Sequence, residues 1–348
     1  MSETQTFDYW AYFLAETEKA NAPLYTGIVR GIAADNDLKD LASHVKPGQP
    51  QANILLAAVH YLLLRGADHP LRRFYPNLNG GARIDGEDPF PHFRDFVNTH
   101  RADVLRLVET GVTNTNEVAR SSSLHAGFRA LAAHAGEPLN LIEIGPSAGL
   151  NMNWDRYRVL YRRGNETFGV GPSDAAITVD CELRGDKFPP FGPAPRVASR
   201  VGLELNPVNL ANPDQADWLR ALVWPDQPER FARLENAIAL FREHPADIRA
   251  GDALALLPDA IAAIPEDRVV CIYHTYVVYQ FTDEMREALD NILIMASLRR
   301  PIWRLSCEGS LASVGQAPMR LRRYGDGVKT STTLALCHPH GAWLEWQA

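Results

Sequence analysis

Apolar positions along the chain follow two different rhythms. Up to about residue 137 they recur every three or four residues, with no alternating run between them, which is the spacing of helices that bury one stripe. Phe7, Trp10, Phe13 and Leu14 form one such stripe, and Phe93, Phe96 and Val97, followed by Val104, Leu105, Leu107 and Val108, form two more. Residues 53–64 are apolar almost all round, with His60 alone among aliphatics, so this helix is expected to be enclosed on every side and its imidazole satisfied in a core. Asn114, three residues ahead of Glu117, reads as a cap for a helix over 117–135 that Gly136 and Pro138 terminate.

Past residue 138, short runs rich in β-branched residues alternate with helical stretches. Strands are expected at 139–144, 201–207, 248–252, 269–273 and 302–306, and helices at 214–223, 228–243 and 282–297. Continuous apolar strands separated by helices predict a parallel sheet covered on both faces. Residues 332–337 and 342–346 flank His338-Pro339-His340-Gly341 and predict a terminal antiparallel hairpin. Residues 164–195, rich in Gly and Pro, are expected to be an irregular insertion with one strand at 177–183. The expected organisation is a helical cap domain, 1–137, and an α/β domain, 138–348.

The length of 348 residues accommodates one large domain or two, and 46% apolar with 22% charged residues excludes a wholly disordered, collagen-like or coiled-coil chain. Lys and Arg total 35 against 42 Asp and Glu, a formal charge of −7, and no basic tract occurs, so a broad surface for duplex nucleic acid is not expected. Residues 1–6 lack the basic start and apolar stretch of a signal peptide, and no window is apolar for the ~18 residues that a membrane span needs. A cytoplasmic protein without membrane partners is the expectation. Cys181, Cys271, Cys307 and Cys337 are scattered and form no Cys-x-x-Cys pair, so buried free thiols are expected rather than disulfides or a zinc knuckle. His338 and His340 lack further ligands nearby, so no metal is expected. Nothing in the pattern fixes the oligomeric state.

Candidate chemistry centres on Glu143-Ile144-Gly145-Pro146-Ser147-Ala148-Gly149-Leu150, a small-residue turn between a strand and a helical segment. Such a turn lets backbone amides approach an anionic ligand. Gly145 to Gly149 also spell the G-x-S-x-G of a nucleophile elbow, and a triad could be composed of Ser147, Asp252 and His274 or His338. An elbow normally follows earlier strands, whereas the upstream chain here reads as helical. In the competing interpretation Glu204, ending a strand, accepts hydrogen bonds from both hydroxyls of a ribose, and Asp252, ending the next, accepts from an exocyclic amine.

The order of these segments resembles the class I S-adenosylmethionine-dependent methyltransferases, with a Rossmann-like sheet and a terminal antiparallel hairpin over about 138–348. That resemblance implies cofactor contacts from Glu143, Gly145, Ser147, Gly149, Asn151, Glu204, Asp252 and Ala253. It places Tyr273-His274-Thr275-Tyr276 opposite the transferred methyl, with His274 and Tyr276 as catalytic candidates. Ser147 stands where a further glycine is common. Asn116, Glu117 and Arg120 are candidates for a polar lid or substrate contact. The whole chain also resembles an uncharacterised bacterial family, domain of unknown function 2332, through residues 55–63, 115–120, 143–153, 180–182, 219–225 and 341–346. The expected function is methyl transfer from S-adenosylmethionine to a small-molecule acceptor. The alternatives are a non-catalytic nucleotide-binding or regulatory module on the same fold, and a serine hydrolase using Ser147.

Overall fold

The computed structural model describes residues 8–82, 84, 86–309 and 315–348. Phe7 and the N-terminal residues 1–6 lie outside them. In chain order the helices are α1 (Tyr9–Lys19), α2 (Pro23–Ala33), α3 (Asn36–Ser43), α4 (Gln51–Leu64), α5 (Phe90–Thr99), α6 (Arg101–Thr110), α7 (Ser121–Ala135), α8 (Pro213–Ala221), α9 (Pro228–Glu243), α10 (Ala253–Ala262) and α11 (Asp283–Ser297). The strands are β1 (Leu139–Ile144), β2 (Arg158–Arg163), β3 (Glu166–Val170), β4 (Thr178–Arg184), β5 (Val197–Glu204), β6 (Asp247–Ala250), β7 (Val269–Thr275), β8 (Ile302–Cys307), β9 (Ala317–Gly325), β10 (Val328–Cys337) and β11 (Trp343–Trp346). Among the described residues no helix is long and apolar enough to cross a membrane.

The chain forms two compact units, residues 1–115 with 209–235, and residues 116–208 with 236–348. This division differs from a boundary at 137/138. Residues 209–235 join the helical unit because Trp218 and Trp224 pack against its core. In that unit Asp8 and Asp35 cap α1 and α3. The buried carboxylate of Asp226 accepts from the Leu24 and Tyr25 amides at the start of α2, which has no cap of its own. The all-round apolar α4 is enclosed as its pattern predicts. The His60 Nδ1–H donates to the Ala221 carbonyl and Nε2 accepts from Asn77, while burial lowers its pKa to about 4 and keeps the ring neutral.

The second unit holds a mixed, mostly parallel sheet of 11 strands in the order β3-β2-β4-β11-β10-β9-β8-β7-β1-β5-β6. Strands β6, β5, β1, β7 and β8 are mutually parallel. Their apolar side chains Ile142, Ile144, Leu203, Val270, Ile272 and Ile302 pack with α10 and α11 on one face, and α7 covers the other, next to Leu305 of β8. The expected cap at Asn114 is replaced by Glu117, which accepts from the Ala119 amide and opens a 3-10 turn, Val118–Arg120, before α7.

Residues 164–195 hold a strand that was not expected, and β9 is a further strand that the apolar pattern did not predict. Within residues 164–195 the strand expected at 177–183 is β4, which lies parallel to both β2 and β11, whereas β3, paired antiparallel with β2, was not expected and extends the sheet. Arg320, Arg322 and Arg323 sit on β9 between β8 and β10, and the half-buried Arg322 donates to the Ser306 hydroxyl at 2.9 Å. The β9–β10 hairpin turns through Asp326 and Gly327, both at positive φ, as a tight two-residue turn requires. The pairing of β10 with β11 across 338–342 is as predicted.

Candidate functional site

After β1 the chain forms β2, β3 and β4 at the far edge of the sheet, then β5 and β6 on one side of β1, and then β7 and β8 on its other side, so the order of the parallel strands reverses between β1 and β7. In an open parallel sheet such a reversal opens a crevice at the carboxyl ends of the strands, where ligands bind. The register puts the expected residues on this rim. Ile144 pairs with Leu203 and Glu204 with Ala250, so Gly145, Leu205 and Gly251 follow adjacent strand ends. Cross-strand bonds from the Gly145 amide to the Leu203 carbonyl, and from the Gly251 amide to the Glu204 carbonyl, both 2.9 Å, tie the three turns together.

Backbone conformation singles out the same place. Four non-glycine residues among those described have positive φ, and Asn21 and Asp326 are of types that tolerate it. The other two are Ser147 and Tyr276, each at φ 57° and each in a loop flanking the reversal, one after β1 and one after β7. A left-handed conformation costs an L-residue about 1–2 kcal/mol, so the surroundings hold both loops in place. The Ser147 amide donates to Glu204 Oε2 at 2.8 Å, and the Asn206 amide donates to Oε1 at 3.1 Å. Asn116 Oδ1 accepts from the Leu150 amide at 2.7 Å, and the Asn151 side chain donates to the Glu117 carbonyl at 3.0 Å. Segment 116–120 is thereby fastened to the glycine turn. Arg120 lies 4.5 Å over the Tyr276 ring and donates to the Thr275 and Pro339 carbonyls, joining the end of β7 and its loop to the β10–β11 loop.

Glu143 is buried on the α7 face, where it accepts from the Tyr273 hydroxyl at 2.7 Å. Burial, with the nearby charge of Glu204, pushes its pKa up to about 8 against the opposing Tyr273 bond and Arg120, so the acid is neutral at pH 7. Burial likewise raises the Tyr276 phenol above its ordinary value. The Asn151 Oδ1 and Tyr276 Oη atoms are buried without a hydrogen-bond partner.

Several expectations need correction. His274, one residue after Tyr273, points to the opposite face, towards α11. Its Nδ1–H donates to Glu308, and its Nε2 accepts from Arg304 at 2.9 Å. Both nitrogens are committed and burial lowers its pKa, so no lone pair is directed at a substrate. At Gly145, at φ 68°, a Cβ would come within 2.6 Å of a Val277 methyl, so packing against the loop after β7 by itself requires glycine there. The hydrolase relay is not formed, since Asp252 caps α10 through the Leu254 amide and His274 is held by Glu308 and Arg304. His338 Nδ1 accepts from the His340 amide within the β10–β11 loop. Among the described residues no cluster of three His, Cys, Asp or Glu forms a metal site, and all four cysteines are buried and free.

Two residues that the sequence reading missed complete the rim. Leu205 stands 68% exposed between Glu204 and the β6 turn. Glu308, immediately after β8, accepts from the Val277, Val278 and Tyr279 amides at 3.1 to 3.2 Å as well as from His274, and so shapes the loop carrying Tyr276. Burial alone would raise the Glu308 pKa, but His274 and the Val277 and Val278 amides outweigh it and hold the group below its ordinary value. An acid closing an apolar strand was the available signal.

A family model described as "Uncharacterized protein conserved in bacteria (DUF2332)" matches residues 11–346, nearly the full chain. The chain belongs to that family. The match runs from within α1 to the end of β11, so the ends of β1, β5, β6 and β7 lie wholly inside the shared region. No curated protein and no solved structure matches the chain significantly.

Proposed function

We propose that this chain is an S-adenosylmethionine-dependent methyltransferase of class I type that binds the cofactor's adenosine on the rim of β1, β5 and β6 and acts on a small-molecule acceptor. The observation that carries this reading is the juxtaposition of Glu204, exposed Leu205 and Asp252 on the neighbouring ends of β5 and β6, next to β1 at the reversal point. Each carboxylate oxygen of Glu204 accepts one amide and retains a second lone pair, enough for one ribose hydroxyl apiece. Leu205 offers an apolar platform for a flat ring, and Asp252, with only Oδ1 used by the Leu254 amide, keeps Oδ2 for an amine donor. The bound cofactor would supply an electrophilic methyl group. The chain's own task is to fix the acceptor in line with it, which requires positioning more than acid–base groups. Arg120 and the Tyr276 loop are the chain's candidates for walls of that acceptor space, and Val277 sets its limit above Gly145.

A second reading, a nucleotide-binding module without catalysis, draws on the commitment of both His274 nitrogens and the closure over Gly145. Titration calorimetry with S-adenosylmethionine and S-adenosylhomocysteine separates these readings when combined with a methyl-transfer assay on acceptor pools. Heat that Asp252→Ala weakens by about two- to tenfold, the worth of one hydrogen bond, is expected on the rim. Binding without turnover favours the second reading, and no heat at high ligand concentration removes both.

A further inference from the structure

The second unit contains a separate cleft of about 330 Å³, the lower range of ligand pockets, whose lining includes Arg129, Asp155, Val170, Pro172, Phe191 and Pro193. Arg129 on α7 is only 5% exposed, yet no carboxylate pairs with it among the described residues. Its Nε donates to the Gly192 carbonyl at 2.7 Å, and both protons of Nη1 are taken by the His125 carbonyl and the His125 Nδ1. Burial and Arg129 itself lower the His125 pKa to about 3, so the ring is a neutral acceptor and offers no compensating charge. Nη2 has no protein acceptor and is not sealed from solvent, and Arg129 lines the cleft. Asp155 lines the same space, but Arg200 holds both its oxygens at 2.8 and 2.9 Å. Arg158, equally without a carboxylate partner, lies along Gly169 and reaches towards the Pro172 carbonyl at 3.5 Å. The backbone wall is built tightly, since a Cβ on Gly171, at φ 85°, would overlap the Tyr157 carbonyl.

A buried guanidinium keeps its charge, and burying it without a counter-charge is costly. We propose that this cleft binds a small organic monoanion, with its carboxylate on Arg129 Nη2 and an apolar body against Val170, Phe191 and the prolines. The Asp155 carboxylate in the lining disfavours a dianion, and the apolar walls favour a carbon body over a bare ion. The site is independent of the adenosine rim.

Benzoate, its neutral counterpart benzamide and inorganic phosphate are titrated into the full chain by ligand-observed NMR, with Arg129→Gln and the half-buried, strand-borne Arg158→Glu as variants checked by thermal melting. The expected results are saturable benzoate binding, with benzamide weaker by about tenfold or more, as for loss of a charge-assisted bond, and a similar loss in Arg129→Gln. Arg158→Glu, which stays informative if the buried variant does not fold, should lose about as much through reversed local charge. Equal binding of benzoate and benzamide, or an unchanged Arg158→Glu, overturns the site. Phosphate binding tighter than benzoate overturns the assigned ligand class.

Discussion

Replacing Glu143 with glutamine removes one titratable proton beside the crevice while preserving side-chain size and the acceptor for the Tyr273 hydroxyl. The folded acid has a pKa of about 8, against 4.5 for the free group, because it is buried and faces Glu204. A raised carboxyl pKa means that the folded state holds a proton the unfolded chain has released. Its stabilising contribution is therefore complete below about pH 4.5 and is lost as pH rises to about 8. The slope is about 1.4 kcal/mol per pH unit, an upper total of about 5 kcal/mol over the window. His60, His125 and His274, all with lowered pKa, act in the opposite sense but only below about pH 6.5, so the interval from 6.5 to 8 is where the Glu143 effect stands apart from theirs. The assay is urea denaturation of both proteins across pH 5 to 8, read as a difference. Glu143→Gln should gain on the wild type steadily as pH rises, and parallel stability curves would refute a neutral Glu143.

Other outcomes follow from the same geometry. Ser147→Gly should melt within about 1 kcal/mol of the wild type, since relief of the left-handed strain offsets the flexibility gained by the unfolded chain, whereas Ser147→Val should lose more than 1–2 kcal/mol in the same denaturation series. Glu308→Ala leaves three amides and His274 without their acceptor, so it should cost about 3–5 kcal/mol and accelerate hydrogen exchange at Val277, Val278 and Tyr279 first. A fluorophosphonate probe should leave Ser147 unlabelled by mass spectrometry, because Asp252 caps α10 and both nitrogens of His274 are held by Glu308 and Arg304, and labelling would contradict the rejection of an Asp252–His274 relay.

Strands β1 and β7 at the centre of the parallel half were legible because they are buried on both faces and read as short, largely apolar runs at 139–144 and 269–273. Strand β9 was not, because alternate positions carry Arg320 and Arg322, and two charged side chains on a strand that buries Ala317, Met319 and Leu321 look like an exposed segment. Strands β2 and β3 were hidden in the same way by Arg158, Arg162 and Arg163 and by a glycine within β3. At the site, Glu204 and Asp252 could be located because strand ends carry polar residues at recognisable places. The facing of His274 depended on which side of β7 the alternation placed it, and on Glu308, which is 34 residues away. The closure of Gly145 by Val277 is a tertiary contact that no local spacing encodes.

The most direct measurement is a crystal structure of the full chain grown with S-adenosylhomocysteine. The account predicts nucleoside density with the ribose hydroxyls on Glu204, the ring against Leu205 and the amine towards Asp252. Density at another rim of the sheet, or crystals saturated with ligand whose strand-end crevice contains only protein side chains, would contradict it.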